Sequence, residues 1–189
     1  DKEHFFVTID VSADPHKPVL PSITNVLAGA NWSEREIRDL LGVQFEGHPD
    51  PRRLVLADDW PNEVYPLRRD FDYSSKPPSN PENAYPFKDN PPNTTVVAMG
   101  PYFPVFEEAT YFRLYVEGEK VVDVDYRGFY AHRGIEKLGD ASLTYNQIPF
   151  IAERICGICG FVHNVSFCKL VEHAAGIKVV MGTPTYSIP

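Results

Sequence analysis

The hydrophobic and polar positions of this chain repeat only over short stretches, so the pattern predicts small helices and strands. Residues 5–11 alternate apolar with polar side chains, which predicts a half-buried strand. Apolar residues recur at helical spacing in 22–29 and in 33–42, where Ser33 with a Glu three positions later predicts a helix start. Residues 53–57 form a short apolar run that predicts a buried strand.

The helix predicted at 33–42 carries its apolar side chains on one side. Ile37, Leu40 and Leu41 form this stripe, and we expect it to face the core. Helices and strands alternate in this part of the chain without a long repeat. The pattern therefore predicts a small α/β domain over residues 1–73.

The middle of the chain has a different composition. Residues 74–92 contain six prolines in nineteen positions and few apolar side chains. Such a segment favours extended conformations and cannot bury a core of its own. We therefore predict a Pro-rich linker at 74–95, which separates the first domain from a second at 96–189.

The second domain opens with two β-rich runs. Residues 110–116 and 121–126 alternate apolar and polar positions around a Glu-Gly-Glu turn, which predicts an antiparallel hairpin. Residues 142–154 show helical spacing, with Pro149 as an expected kink. The whole chain is thus predicted to be α+β, with the hairpin followed by helices.

Composition and charge exclude some classes of function. Apolar residues make up 43% of the chain, which suits a globular core, and the net charge of −8 argues against nucleic-acid binding. No apolar run reaches the length of a membrane-spanning helix. Three cysteines are too few for a disulfide scaffold, so we expect a reducing compartment and thiols that are free to bind metal.

Two of those cysteines form the most distinctive chemical pattern. Cys156 and Cys159 are three residues apart, so both sulfurs fall on one side of a helical turn. His163 lies only about 40° from Cys159 around an ideal helix, and we expect it to face the same site. Cys168 lies about 180° from Cys159 by the same geometry, which predicts a small buried residue.

The spacing alone leaves several kinds of site open. A structural zinc ion would need His163 and a further ligand, because no second cysteine pair is present in the sequence. A redox dithiol, one half of a larger metal centre, and a plain pair of buried thiols are the other possibilities. Gly157 and Gly160 remove side-chain bulk at the turn and would let another group come close.

The N-terminal half resembles a known family. The likeness lies in five blocks that follow one another in order: Trp32-Ser33-Glu34-Arg35-Glu36, Leu41-Gly42-Val43-Gln44-Phe45-Glu46-Gly47-His48-Pro49, Arg52-Arg53, Asp58-Asp59-Trp60 and Tyr65-Pro66-Leu67-Arg68-Arg69-Asp70-Phe71. These blocks resemble the thirty-kilodalton hydrophilic subunit of respiratory complex I. The resemblance implies an assembly domain without a cofactor of its own.

The second half resembles a different family. The pattern Arg154-x-Cys156-Gly157-x-Cys159-x-x-x-His163 is similar to the N-terminal metal-binding motif of nickel-iron hydrogenase large subunits. Residues 111–122 and 132–138 are similar to the membrane-bound, complex-I-related members of that group. Fusion with a thirty-kilodalton-like domain resembles the formate hydrogenlyase type, whose substrates are dihydrogen and protons.

This second resemblance implies a role for individual residues. Cys156 would be a terminal thiolate on nickel, and Cys159 would bridge nickel to an iron that carries carbonyl and cyanide ligands. Glu136 would exchange protons with a nickel-bound thiolate, while Arg154 and His163 would hydrogen-bond the ligands. The implied partners are an iron-sulfur small subunit with the proximal cluster and membrane-arm subunits, at the cytoplasmic face of the membrane.

The chain also departs from the hydrogenase pattern. The second Cys-x-x-Cys motif of that family is not present in these residues, so we expect a truncated chain or ligands supplied from elsewhere. Phe103 stands where the quinone-site subunit of complex I has a histidine, which points away from quinone chemistry. Two alternatives stay open: a metal-free assembly fragment, and a hydrogenase-derived complex that couples another redox reaction to ion pumping.

Overall fold

Residues 7–74 and 76–179 are described by the computed structural model of the chain. They divide into two compact units, one up to His132 and one from Arg133. The domain boundary that the Pro-rich composition places at 74–95 stays a prediction. Within the described ranges, no helix has the length and apolar character needed to cross a membrane.

The first unit opens with a parallel strand pair connected by a helix. Strand β1 (Val19–Pro21) pairs with β2 (Gln44–Glu46), and helix α1 (Ala30–Leu41) lies between them in sequence. Gly42 ends α1 in the left-handed conformation, with φ of 82°. A Cβ atom at Gly42 would lie 2.6 Å from the Tyr65 ring, so only glycine fits this turn.

A three-stranded antiparallel sheet completes the first unit. Its order is β3 (Thr95–Met99), β4 (Tyr111–Glu117) and β5 (Lys120–Arg127). The predicted hairpin is therefore confirmed as β4 and β5, and a preceding strand joins it. Tyr115 on β4 is fully buried, at 0% exposure.

Residues 85–88 of the Pro-rich segment are held against the same sheet. None of the described residues between 76 and 94 belongs to a helix or strand. The backbone N–H of Lys88 donates to Asp125, and the carbonyl of Lys88 accepts from the Tyr115 hydroxyl at 2.8 Å. Tyr85 donates its hydroxyl to the carbonyl of Tyr126 at 3.2 Å. An extended chain with aromatic side chains is thus held by side-chain hydrogen bonds.

The second unit contains short helices. These are α2 (Ile135–Ala141), α3 (Ile148–Ala152), a 3₁₀ turn (Glu153–Ile155) and α4 (Gly160–Ala174). The single kinked helix predicted at 142–154 is wrong, because Pro149 lies in the first turn of α3, where a missing N–H costs nothing. The α+β class is confirmed by the small sheets and helices.

Three further predicted elements differ from the structure of the first unit. Residues 5 and 6 of the predicted opening strand lie outside the described residues, and residues 7–11 form no strand. Residues 22–29 form turns instead of a helix, with Val26 exposed at 92%. Helix α1 begins at Ala30, so Ser33 is an interior residue and not its N-cap.

The core of the first unit is small and partly polar. Its apolar cluster consists of Leu40, Leu54, Val55 and Leu56, with Trp60 and Leu67 packed against it. The predicted apolar stripe of α1 is only partly right, since Ile37 and Leu41 are 37% and 39% exposed while Leu40 is 4% exposed. The buried face of α1 carries Glu34, Arg35 and Asp39 instead.

Candidate functional site

The cysteine turn lies between the 3₁₀ turn and helix α4. Cys156 has an extended backbone, and Cys159 occupies the N-cap position of α4. The backbone N–H of Cys159 donates to the Cys156 sulfur at 3.2 Å, and the Cys159 sulfur lies 3.5 Å from His163 Nε2. The structure thus brings these three predicted residues together, although the helical geometry that the spacing predicts applies to Cys159 and His163 and not to the extended Cys156.

The other two predicted site residues have more exposed settings. The Arg154 side chain is 68% exposed and lies 3.5 Å from the carboxylate of its neighbour Glu153. Glu136 is exposed in the first turn of α2. The guanidinium of Arg133 donates to the carbonyls of Arg154 and Ile155, the latter at 3.1 Å. Arg133 therefore fixes the backbone just before the cysteine turn.

The two glycines of the turn have different surroundings. A Cβ atom at Gly160 would lie 2.7 Å from the backbone oxygen of Glu153. A Cβ atom at Gly157 would meet no other atom within 4 Å. Gly160 therefore lets helix α4 approach the chain's own 3₁₀ turn, whereas Gly157 has no such role in the described structure.

Cys168 belongs to the packing of α4. Its sulfur donates to Asn164 Oδ1 at 3.5 Å, and Asn164 in turn donates to Glu153 at 2.7 Å. Burial is the main cause that raises the pKa of the Cys168 thiol, and the charge of Glu172 adds to it. A neutral, half-buried thiol results, as expected for a packing residue.

The donor set of the described residues does not fit a metal centre. Among residues 7–74 and 76–179, no group of three or more His, Cys, Asp or Glu side chains is arranged to hold a metal ion. Structural and catalytic metal sites need at least three such protein ligands in most cases.

A second concentration of charged side chains lies in the first unit, around the buried segment 54–56. Asp39 Oδ2 accepts hydrogen bonds from the backbone N–H groups of Leu54 and Val55, at 2.8 and 2.9 Å. Arg127 donates to the carbonyls of Leu54 and Leu56, at 2.5 and 2.8 Å. The predicted strand at 53–57 is wrong because these side chains, and not a neighbouring strand, satisfy its backbone.

Glu34 performs a similar task for the turn before α1. Its carboxylate accepts from the Ser22 hydroxyl at 2.6 Å, from the Ile23 N–H at 2.7 Å and from the Thr24 hydroxyl at 3.0 Å. Burial, the largest influence, acts to raise the pKa of Glu34, but these hydrogen bonds together outweigh it and lower the pKa. His48 lies 3.8 Å from the same carboxylate.

A third charged group connects the loop after β2 to β5. Arg52 donates to Asp50 and to Asp125, with the shortest distances 2.8 and 2.9 Å. Burial acts to raise the pKa of Asp50, but the hydrogen bonds from Arg52 and the charge of Arg35 lower it to about 2. The hydrogen bond with Asp50 is the main cause that raises the pKa of Arg52.

The sequence pattern assigns no special role to Asp39, Asp125 or Arg127, which are 6%, 2% and 3% exposed. The pattern in fact points the other way. The alternation places Asp125 and Arg127 on the side of the strand opposite Val122 and Val124, yet those valines are 42% and 39% exposed. The buried side of β5 is its charged side, where Asp125 and Arg127 have hydrogen-bond partners.

Comparison with known families concerns the same part of the chain. Residues 2–77 match the family model described as respiratory-chain NADH dehydrogenase, 30 Kd subunit. Within these residues the chain is similar to this family. The thirty-kilodalton resemblance of the sequence is thereby confirmed. Glu34, Asp39 and Arg52 all lie within the matched residues.

Three curated relatives match most of the chain. Formate hydrogenlyase subunit 5 of Escherichia coli K12 is 45% identical over 178 residues, 92% of this chain and 31% of the relative. Hydrogenase-4 component G of the same strain is 43% identical over 180 residues, which are 94% of this chain and 32% of the relative. The C/D subunit of the NADH-quinone oxidoreductase of Phocaeicola vulgatus is 34% identical over 187 residues, and the match covers 86% of this chain and 34% of the relative. The chain spans about a third of the length of these relatives.

These findings correct the catalytic interpretation. The assignment of this chain as an enzyme, a nickel-iron hydrogenase large subunit, is wrong, because the matching family is the 30 Kd subunit and the described residues hold no metal-binding group. A nickel-iron centre with carbonyl and cyanide ligands is wrong as its cofactor for the same reasons. The individual roles of Glu136, Arg154 and His163, and of Cys156 and Cys159, stay predictions.

Proposed function

We propose that this chain is a non-catalytic assembly component of a complex-I-like hydrogenase of the formate hydrogenlyase type. The family match of residues 2–77 supports the thirty-kilodalton character of the component. One relative is named as a subunit of formate hydrogenlyase, one as a component of hydrogenase-4, and a third as a subunit of an NADH-quinone oxidoreductase. In this proposal the chain supplies a rigid surface on which redox subunits are held together.

The proposal depends on one observation: charged side chains in the part of the chain that matches the 30 Kd family bind the protein's own backbone. Glu34 fixes the turn before α1, Asp39 fixes segment 54–56, and Arg35 donates to the carbonyls of Arg52 and Arg53 at 2.9 and 3.1 Å. Catalytic groups usually converge on a cleft where a substrate can reach them. These side chains are instead committed to the backbone, which suits a domain whose shape is its function.

The partners in this proposal are the iron-sulfur small subunit and the membrane-arm subunits, with the chain in the peripheral part at the cytoplasmic face. Exposed apolar side chains of the second unit support an interacting surface. Ile158, Phe161 and Leu170 are 76%, 56% and 63% exposed, and none of the residues of α4 is buried. Apolar surface of this kind is typical of sites that contact other proteins.

The test is assembly of the complex in cells. The tagged full-length protein is purified from detergent-treated membranes, and we expect the iron-sulfur and membrane-arm subunits to co-purify. Asp39→Asn should lower the amount of assembled complex, because the two buried hydrogen bonds lose their charged acceptor. Hydrogen evolution per assembled complex should stay at the wild-type value, since no chemistry is assigned to this domain.

The matched control is Glu36→Gln on the same helix. Glu36 is exposed, so its substitution should change neither the yield nor the activity of the complex. A tagged protein that purifies without partners would contradict the assembly role. An Asp39→Asn complex that assembles in full but evolves no hydrogen would contradict the non-catalytic role.

A further inference from the structure

A polar surface cleft lies beside helix α1 in the first unit. Its volume is about 460 Å³, and its lining includes Arg38, Asp39, Arg53, Glu63 and Tyr65. The lining combines residues of α1, of the loop after β2 and of segment 61–65. All of these positions fall inside the part of the chain that matches the 30 Kd family.

Two arginines of the cleft keep unused donors. Arg38 donates through Nη2 to the carbonyl of Arg52 at 2.6 Å and lies 3.5 Å from Asp39 Oδ1. Arg53 donates through Nη1 to the carbonyls of Ala57 and Trp60. Within the described residues, the Nε–H of both arginines and Nη1 of Arg38 make no hydrogen bond. No buried side-chain nitrogen there lacks a partner, so these donors are accessible.

Charges of both signs surround Arg53. Burial is the main cause that lowers the pKa of Arg53; the carboxylates of Asp39 and Asp58 act to raise it, and the positive charges of Arg38 and Arg127 act to lower it further. Asp39 is largely occupied, since its Oδ2 accepts two backbone N–H groups. A further anion in the cleft would therefore find donors that the chain itself does not satisfy.

Glu63 is the exposed carboxylate at the rim of the cleft. Its backbone lies in the left-handed region, with φ of 64°, a conformation that costs energy for a residue with a side chain. Such an outlier at a cleft fits a position that function holds in place. Glu63 is also a competitor for an incoming anion, because it lines the same space.

We propose that this cleft binds a single carboxylate, from an Asp or Glu side chain that a partner subunit presents on a basic surface. Arginine suits this ligand because its planar fork matches the two oxygens of a carboxylate. The proposal rests on the assembly function, and it names the chemistry of one contact.

The net charge of the unit selects this partner. Residues 1–132 contain 13 Lys and Arg against 22 Asp and Glu, which gives −9. Such a unit repels polyphosphates and acidic peptides and attracts a basic protein surface. A partner with a single carboxylate on a basic surface suits both features of the unit. The basic surface is attracted to the acidic surroundings, and the carboxylate binds the two arginines.

The binding test uses the full-length protein by itself in calorimetric titrations. The probe is the peptide acetyl-Lys-Lys-Glu-Lys-Lys-amide, and its control has Gln in place of Glu. We expect the Glu peptide to bind about tenfold more tightly. Arg38→Gln and Arg53→Gln should each remove most of that difference, and the Arg→Lys variants should restore only part of it because an ammonium lacks the fork.

Two further variants keep the test independent of folding. Glu63→Gln changes an exposed side chain and should tighten binding of the Glu peptide, whereas Glu36→Gln, outside the cleft, should leave it unchanged. Equal binding of the Glu and Gln peptides would overturn the proposal. If acetate bound as tightly as the peptide, the idea that a partner subunit supplies the carboxylate would be overturned. Because no complex is needed, a failure here is distinct from a failure of co-purification.

Discussion

Asp39 and Arg127 bind the same buried segment through opposite backbone groups. Asp39 on α1 accepts the N–H groups of Leu54 and Val55, and Arg127 at the end of β5 donates to the carbonyls of Leu54 and Leu56. The two side chains thereby do what neighbouring strands do in a sheet. Segment 54–56 can remain in the core without regular structure because its polar groups are satisfied.

Replacing Asp39 by Asn should destabilise the protein by about 3 kcal/mol. The amide keeps one acceptor oxygen but loses the charge that strengthens two buried hydrogen bonds. Urea unfolding, followed by the fluorescence of Trp60 that packs on the core, measures the change. The exposed Glu36→Gln serves as the control and should stay within about 0.5 kcal/mol of the wild type. A similar small effect for Asp39→Asn would show that the segment does not depend on this carboxylate.

Replacing Arg127 by Lys should also destabilise the protein, by about 2 to 4 kcal/mol. The guanidinium reaches carbonyls of Leu54, Leu56 and Gly128 and the carboxylate of Asp58, whereas one ammonium cannot reach all of these acceptors. The same urea experiment measures the loss. Arg69→Lys, at an exposed position, is the matched control. If the two substitutions had equal effects, the planar fork would not be the source of the stability.

Stability should fall in acid through Asp50. Its pKa is about 2 in the folded protein against an ordinary value of 3.8, so the folded state favours the charged form. The stabilisation is fully present above about pH 5 and is lost as pH falls through 3.8 towards 2, with a total of about 2 kcal/mol. Urea unfolding at a series of pH values should show this loss in the wild type but much less of it in Asp50→Asn.

The partner substitution checks the cause of that pH dependence. Arg52→Gln removes the guanidinium that donates to Asp50, so the folded pKa of Asp50 should move back towards its ordinary value. The acid-dependent loss of stability should shrink in this variant as it does in Asp50→Asn. An unchanged slope in Arg52→Gln would assign the lowered pKa to Arg35 and the backbone instead.

Gly160 should tolerate no side chain at the start of α4. Gly160→Ala places a Cβ atom 2.7 Å from the backbone oxygen of Glu153, so helix and 3₁₀ turn must separate. Hydrogen exchange of residues 153–163 should then accelerate by about tenfold or more. Gly157→Ala is the matched control, since a Cβ atom there meets nothing within 4 Å. Equal exchange in the two variants would contradict close packing at Gly160.

The cysteine turn shows how far local spacing reaches. The four-residue spacing of Cys159 and His163 correctly predicts their contact, because the first turn of α4 is a local structure, whereas Cys156 has an extended backbone and reaches Cys159 through a non-helical turn. The same spacing could not decide what the turn does. The spacing does not specify which residues outside the turn complete a site, and the described residues supply no metal-binding group.

The sequence by itself determined the elements whose pattern is local: the hairpin of β4 and β5, most of α1 with its glycine end, and the thirty-kilodalton signature. Only the tertiary structure decided that 54–56 is no strand and that Glu34, Arg35 and Asp39 face inward. The physical reason is distance along the chain. Arg127 meets Leu54 across 73 positions, and no periodicity within either segment carries information about the other.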